Sequence, residues 1–275
     1  MPKGAITWPS LEISALHRAY AAGETTPEKV IDAVYARIET SPHDPTWIHV
    51  IQKTDTLESL TQSQQSATAT SPLRGVPFAI KDNIDLAGVP TTAACPDFAY
   101  TPPVSAAVVQ KLIDGGAIPI GKTNLDQFAT GLVGVRSPYG VPANPFNGDY
   151  IPGGSSSGSA VAVAKGLCSF SLGTDTAGSG RVPASFNGLV GLKPTRGLLS
   201  TRGVVPACRS LDCVSIFART CRDAATVLRE VADYDPLDPF SRKAVAPSFE
   251  TPWPPRIGVP AATQLDFFGN DEARA

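Results

Sequence analysis

Two short turns rich in glycine and serine limit the folds open to this chain more than any other feature. They cover residues 153–159 (GGSSSGS) and 173–180 (GTDTAGSG), and they flank a small apolar helix, predicted over 159–166, and a strand, predicted over 168–173. Glycine permits positive φ angles and a close approach of other backbone, so successive N–H groups can point at one spot. Such a nest of N–H groups can hold a bound phosphate or a developing oxyanion.

Strand and helix patterns alternate on both sides of these turns. The predicted order is strand 76–81, helix 105–116, strand 117–122, helix 159–166, strand 168–173 and helix 223–232. Such alternation is typical of a layered α/β sheet that is at least partly parallel. A Pro-rich connecting segment is predicted at 235–255, and the start of a further strand at 256–259.

The first 72 residues have a helical pattern instead. Ser10 is predicted to cap a helix that ends before Gly23, and Thr26 to cap a second helix that begins with Pro27. Apolar side chains at a spacing of three to four residues give this second helix one buried face: Val30, Ile31, Val34, Tyr35 and Ile38. A strand is expected at 47–51, and the end of a helix and a loop at 62–71. We therefore divide the chain into an N-terminal helical region, 1–72, and an α/β core, 73–275.

Charge and cysteine content exclude several classes of protein. The chain has 23 Lys and Arg against 25 Asp and Glu, a formal net charge of -2, which does not favour binding to nucleic acid or to an anionic membrane. It has no apolar stretch long enough to span a membrane and no secretory signal pattern. The five cysteines are odd in number and lack Cys-x-x-Cys spacing, which argues against a disulfide framework. We therefore expect a cytoplasmic protein.

The hydroxyl groups in both turns favour a serine nucleophile over phosphate binding. Neither turn ends in the Gly-Lys-Ser/Thr of a phosphate loop, and neither contains a Gly-x-Gly-x-x-Gly with its acidic partner. A serine nucleophile needs a base, and all three histidines lie in the first fifth of the chain, so Asp, Glu or Lys must serve. Lys81 ends the apolar strand 76–81. It is either a solvated surface group or, if buried, a lysine that can lose its proton.

Three segments resemble the amidase signature family. They are GVPFAIKD at 75–82, GGSSSGSAVAVA at 153–164 and GTDTAGSGRVPASFNGLVGLKPT at 173–195, which follow one another in the family's order over 121 residues. The resemblance implies a mixed sheet covered by helices on both faces. Amidase signature domains are longer than this chain, so we expect a truncated core, incomplete at the C-terminus, that carries the catalytic groups but has weak activity alone.

The resemblance also implies the catalytic residues. Ser179 corresponds to the nucleophile, Ser155 to a bridging serine and Lys81 to the base. The oxyanion would be held by four backbone N–H groups, those of Thr176, Ala177, Gly178 and Ser179. The family carries a cis peptide bond beside the bridging serine, expected here at Gly154–Ser155 or Ser155–Ser156. Neither a metal ion nor a cofactor is implied.

Other polar residues near these motifs are given structural roles. Asp175 is predicted to support its turn by accepting backbone N–H bonds, and Asp82 to anchor the strand end beside the lysine. Arg181 can form either a structural ion pair or a substrate contact. Cys168, in an apolar strand, is predicted as a small core residue.

The segment CRSLDCVSIFART at 208–220 and Ala177 resemble the allophanate hydrolases of this family. This resemblance implies cleavage of the terminal amide of allophanate (urea-1-carboxylate) with release of ammonia, a step of urea degradation and nitrogen metabolism. The clamp for the substrate carboxylate is expected beyond Ala275. Two alternatives stay open: the glutamine-hydrolysing A-type subunit of an amidotransferase, and a non-catalytic truncated module. The expected partner is a small amide substrate. Three further partners stay open: a second copy of the chain in a homodimer, a missing C-terminal domain and other urea-degradation enzymes.

Overall fold

The computed structural model describes residues 10–66, 71–243 and 256–274. Its N-terminal part contains α1 (Ile13–Ala21), α2 (Pro27–Glu39), β1 (Trp47–Val50) and α3 (Lys53–Ser66). The predicted start of α2 is confirmed, because the Thr26 hydroxyl accepts the N–H of Lys29 and Pro27 is the first helical residue. Helix α1 begins at Ile13, later than predicted. The Ser10 hydroxyl accepts the N–H of Glu12, which lies ahead of the helix, and Glu12 takes the N-cap position.

The remaining part of the described chain alternates strands and helices. Its elements are β2 (Pro77–Lys81), α4 (Ala107–Asp114), β3 (Ile118–Thr123), α5 (Ser157–Ala164), β4 (Phe170–Thr174), α6 (Arg181–Phe186), β5 (Val190–Leu192), β6 (Val214–Ala218), α7 (Cys221–Val231) and α8 (Asp271–Arg274). Four of these, α6, β5, β6 and α8, were not predicted. The strand predicted at 256–259 is wrong: this segment has no regular structure, and Ile257 and Val259 are 80% and 79% exposed. The predicted connecting segment lies partly outside the described residues, at 244–255.

The six strands form one mixed sheet in the order β1-β3-β2-β4-β6-β5. Strand β2 runs parallel to both β3 and β4, while the β1–β3, β4–β6 and β5–β6 pairs are antiparallel. In a parallel pair both strands end at the same edge of the sheet, so the register that pairs Ile80 with Leu172 brings the ends of β2 and β4 together. This edge receives Lys81 from β2 and Thr174 from β4.

Helices cover both faces of the sheet, as the fold prediction requires. Phe78 and Ile80 belong to an apolar cluster with residues of α4 and α7, whereas Ala79 belongs to a second cluster with residues of α2 and α5. Side chains that alternate along a strand point to opposite faces, so the two clusters are the two sides of the sheet. On the first side the rings of Phe78 and Phe170 stack at 5.3 Å.

Helix α5 packs so closely against the backbone of Thr46 and Asn124 that it requires small residues. A Cβ atom on Gly158 would lie 2.4 Å from the Thr46 carbonyl oxygen and 2.5 Å from the Asn124 nitrogen. The predicted helix of small apolar residues is therefore confirmed, with its start two residues earlier, at Ser157. Its N-terminus carries the first Gly/Ser-rich turn to the sheet edge where β2 and β4 end.

Strand β1 of the N-terminal region pairs with β3 of the core and so belongs to the same sheet. The division of the chain at residue 72 stays a prediction. None of the helices in the described ranges combines the length and the apolar character that crossing a membrane requires.

Candidate active site

Lys81 lies at the end of β2 with a fully buried side chain. Its Nζ atom is 2.7 Å from the hydroxyl oxygen of Ser155 and 2.7 Å from that of Thr174. The alternative of a solvated surface lysine is therefore excluded. All five residues of β2 are buried, so the strand carries this amine into the core.

Burial lowers the pKa of Lys81 from its ordinary value of 10.5 to about 7, because a charged ammonium loses its hydration there. The carboxylates of three residues act in the opposite direction, in decreasing order Asp126, Asp175 and Asp212. Desolvation is the larger effect. Near neutral pH, a substantial fraction of the molecules therefore carries an uncharged amine that can accept a proton.

Ser155 is placed by the first Gly/Ser-rich turn. The peptide bond between Gly154 and Ser155 is cis, which confirms the first of the two predicted positions. The Ser155 side chain is fully buried, and its carbonyl oxygen accepts the N–H of Asp126 at 3.0 Å. The turn thus presents the Ser155 hydroxyl to the lysine amine at the end of β2.

The second turn is built around Asp175. Its carboxylate accepts the backbone N–H groups of Gly178 at 2.8 Å and of Gly180 and Arg181 at 3.1 Å each. The Arg181 guanidinium adds two hydrogen bonds, at 2.9 and 3.0 Å. Although burial acts to raise it, these bonds hold the pKa of Asp175 below its usual value. The predicted support of the turn by Asp175 is confirmed, and Arg181 forms an ion pair.

Ser179 lies in this turn and is 4% exposed. Its hydroxyl donates to the Gly131 carbonyl at 3.3 Å and, within the described residues, makes no hydrogen bond to Ser155. The turns are nevertheless joined, since the Ser156 N–H donates to the Ser179 carbonyl at 3.3 Å. The structure thus brings Lys81 and Ser155 into direct contact and places Ser179 in the adjoining turn.

The four backbone N–H groups predicted for the oxyanion differ in availability. That of Gly178 donates to Asp175 and is engaged. Across the described ranges, the N–H groups of Thr176, Ala177 and Ser179 have no acceptor in the chain. Three donors of the predicted four are therefore free to bind an oxyanion.

Asp82 anchors the strand end beside the lysine, as predicted. Its carboxylate accepts the N–H and O–H of Thr92 at 2.9 and 2.5 Å, and it pairs with Lys122 at 3.1 Å. Both side chains of this ion pair are fully buried. Across the described ranges, no group of three or more His, Cys, Asp or Glu side chains is arranged to hold a metal ion.

Two residues of the site, Thr174 and Asp126, were not predicted from the sequence. Thr174, the second partner of the lysine amine, lies within the motif GTDTAGSG, and parallel pairing of β2 with β4 could have indicated its place. Asp126 is fully buried beside the Ser155 turn. It comes from a segment to which no pattern gave a role, so no local signal could have found it.

Residues 29–272 match the protein family described as Amidase. The chain belongs to the amidase signature family. Among its relatives, the urea amidolyase of Lachancea kluyveri is 47% identical over 255 residues, an alignment that covers 91% of this chain and 14% of the relative. A glutamyl-tRNA(Gln) amidotransferase subunit from a Synechococcus species is 40% identical over 241 residues, with 86% and 50% covered.

Solved structures of the amidase signature family confirm the fold. The allophanate hydrolase of Kluyveromyces lactis superposes with a TM-score of 0.79 at 48% identity, over 86% of this chain and 39% of that protein. The chain thus spans half or less of the length of these relatives.

Proposed function

We propose that this chain hydrolyses an amide through a relay of Ser179, Ser155 and Lys81. The observation that carries the proposal is the contact of 2.7 Å between Lys81 Nζ and Ser155 Oγ in a fully buried setting. Burial lowers the pKa of the amine to about 7, so it can act as a base at neutral pH. A base of this kind replaces the histidine that other serine hydrolases use.

In the proposed acylation, uncharged Lys81 takes the proton of the Ser155 hydroxyl, and Ser155 Oγ takes that of Ser179. The oxygen of Ser179 then attacks the carbonyl carbon of the amide. For this step the Ser179 hydroxyl exchanges its acceptor, from the Gly131 carbonyl to Ser155 Oγ. The Ser156 N–H bond to the Ser179 carbonyl keeps the two turns together meanwhile.

The negative charge that develops on the carbonyl oxygen is met by the N–H groups of Thr176, Ala177 and Ser179. The bond between carbon and nitrogen then breaks, and the leaving amine takes a proton back through Ser155 from Lys81. Water attacks the acyl group on Ser179 by the same relay and releases the acid. The overall reaction converts an amide and water into a carboxylic acid and an amine or ammonia.

For the substrate we propose allophanate, whose terminal amide would be cleaved with release of ammonia. The support is similarity to an allophanate hydrolase at 48% identity and to a urea amidolyase at 47%. The 40% identity with a glutamyl-tRNA(Gln) amidotransferase subunit favours glutamine as the second candidate. A panel of allophanate, glutamine, malonamate and simple amides, scored by ammonia release with Ser179→Ala as background, separates the two.

A fluorophosphonate probe tests the nucleophile independently of the substrate. We expect a covalent adduct on Ser179 that is lost in Ser179→Ala. A folded chain without any adduct would identify a non-catalytic module and refute the proposed function.

A further inference from the structure

We infer that Asp126 is a positioning residue that holds the Ser155 turn and the loop facing Ser179 as one unit. The loop consists of residues 126–136 and is called the Asp126 loop below. This inference rests on the proposed function and adds to it a residue outside the relay.

The carboxylate of Asp126 closes its own loop. Its Oδ2 atom accepts the N–H groups of Val133 at 3.2 Å and Gly134 at 2.9 Å, and its Oδ1 atom accepts that of Arg136 at 2.9 Å. The N–H of Gln127 donates to the Arg136 carbonyl at 2.8 Å. One fully buried side chain thus joins the two ends of the loop.

The Asp126 loop contacts both serines of the proposed relay. Its Gly131 carbonyl accepts the Ser179 hydroxyl at 3.3 Å. Its Leu132 carbonyl accepts the Gly154 N–H at 2.9 Å, and the Asp126 N–H donates to the Ser155 carbonyl at 3.0 Å. A shift of the loop therefore moves the acceptor of one serine and the backbone of the other.

The contact between the loop and the Ser155 turn leaves no free space. A Cβ atom on Gly154 would lie 2.3 Å from Asp126 Oδ2 and 2.5 Å from the Gly134 nitrogen. Since the groups pack at backbone distance, a displacement of the loop displaces the turn that lies against it.

Asp126 also has an electrostatic effect. The amine of Lys81 is subject to the carboxylates of Asp126, Asp175 and Asp212, which favour its charged form against the effect of burial. Without the charge of Asp126, the lysine loses its proton at lower pH. A residue that merely stabilised the fold would not change this titration.

The test uses Asp126→Asn and Asp126→Glu, with Asp238→Asn as matched control. Asp238 is also buried and also accepts loop N–H groups, of Thr201 at 2.6 Å and of Phe240 at 2.9 Å, but it is not among the carboxylates that affect Lys81. The rate of Ser179 labelling by a fluorophosphonate is measured against pH for each variant, with thermal unfolding to give the folded fraction.

For Asp126→Asn we expect the plateau rate per folded molecule to fall by about ten- to a hundredfold and the acid limb to move to lower pH. Asp126→Glu keeps the charge, so its acid limb should stay while its plateau falls, because the longer side chain cannot close the loop in the same geometry. The control Asp238→Asn should retain the wild-type plateau rate of labelling and the wild-type position of the acid limb on the pH axis.

A wild-type plateau in either Asp126 variant, or an Asp126→Asn limb that does not move, would overturn the inference. If Asp126→Asn does not fold, the plateau of Asp126→Glu decides. If wild-type protein shows no labelling that depends on Ser179, the proposed function itself fails, and this outcome is distinct from a failure of the Asp126 variants alone.

Discussion

The burial of the Lys81 amine gives a quantitative prediction for the pH dependence of Ser179 reactivity. Its pKa lies at about 7 instead of the ordinary 10.5 because burial disfavours the ammonium. The difference corresponds to about 5 kcal/mol between the protonation states of the buried and the solvated side chain. Only the uncharged form can take the proton of Ser155, so the reactivity of Ser179 should follow the titration of this one group.

The expected profile follows from the pKa. About one-tenth of the amine is uncharged at pH 6, half at pH 7 and about nine-tenths at pH 8. The labelling rate should therefore rise about tenfold from pH 6 to pH 8 and then level off. A lysine with the ordinary pKa would instead give a rate that continues to rise about tenfold per unit through pH 9.

The measurement is the pseudo-first-order rate of fluorophosphonate labelling between pH 5.5 and 9.5 at constant ionic strength, followed by intact mass. Ser179→Ala gives the background at each pH. A rate that still climbs tenfold per unit between pH 8 and 9, or one that is flat between pH 6 and 8, would refute the burial argument.

Three further predictions follow from packing and charge. The contribution of Lys81 to the free energy of unfolding should increase as pH rises from about 7 toward 10.5, because the unfolded state binds more protons than the folded state in that window. The measurement is the urea unfolding midpoint against pH for the wild type and for Lys81→Met, and a wild-type midpoint that falls relative to that of Lys81→Met as pH rises would contradict this. Lys81→Ala should slow amide turnover by several orders of magnitude, and near-normal ammonia release would remove the base assignment. Gly158→Ala should lower the free energy of unfolding by about 1–3 kcal/mol, because its methyl group meets three backbone atoms of Thr46 and Asn124. Gly148→Ala, with open space around it, should stay within about 0.5 kcal/mol, and equal urea midpoints for the two variants would contradict the packing.

Elements with local signals were predicted well. Helix α2 has its cap, its N1 proline and its apolar face within 13 residues, so nothing distant is needed to place it. Strands β2 and β3 are short apolar runs bounded by turn residues, and both formed within a residue or two of their predicted limits.

Elements that depend on a partner were missed or placed wrongly. Strand β5 has three residues, all half-buried, and exists because β6 pairs with it. The apolar run at 256–259 has a similar composition but no strand beside it in the described chain, so it forms none. The spacing of apolar residues and their strand propensity do not distinguish β5 from the run at 256–259, since a strand is stabilised by its neighbours in the sheet.

The sequence by itself determined which residue types are available for chemistry: two turns crowded with serine and glycine, and a lysine at the end of an apolar strand. Only the tertiary structure decided the state of that lysine. Parallel pairing of β2 with β4 and the turn before α5 enclose the amine, and the exclusion of water by these distant segments moves its pKa to about 7. Desolvation depends on everything that packs around a group, and that is set by the fold as a whole.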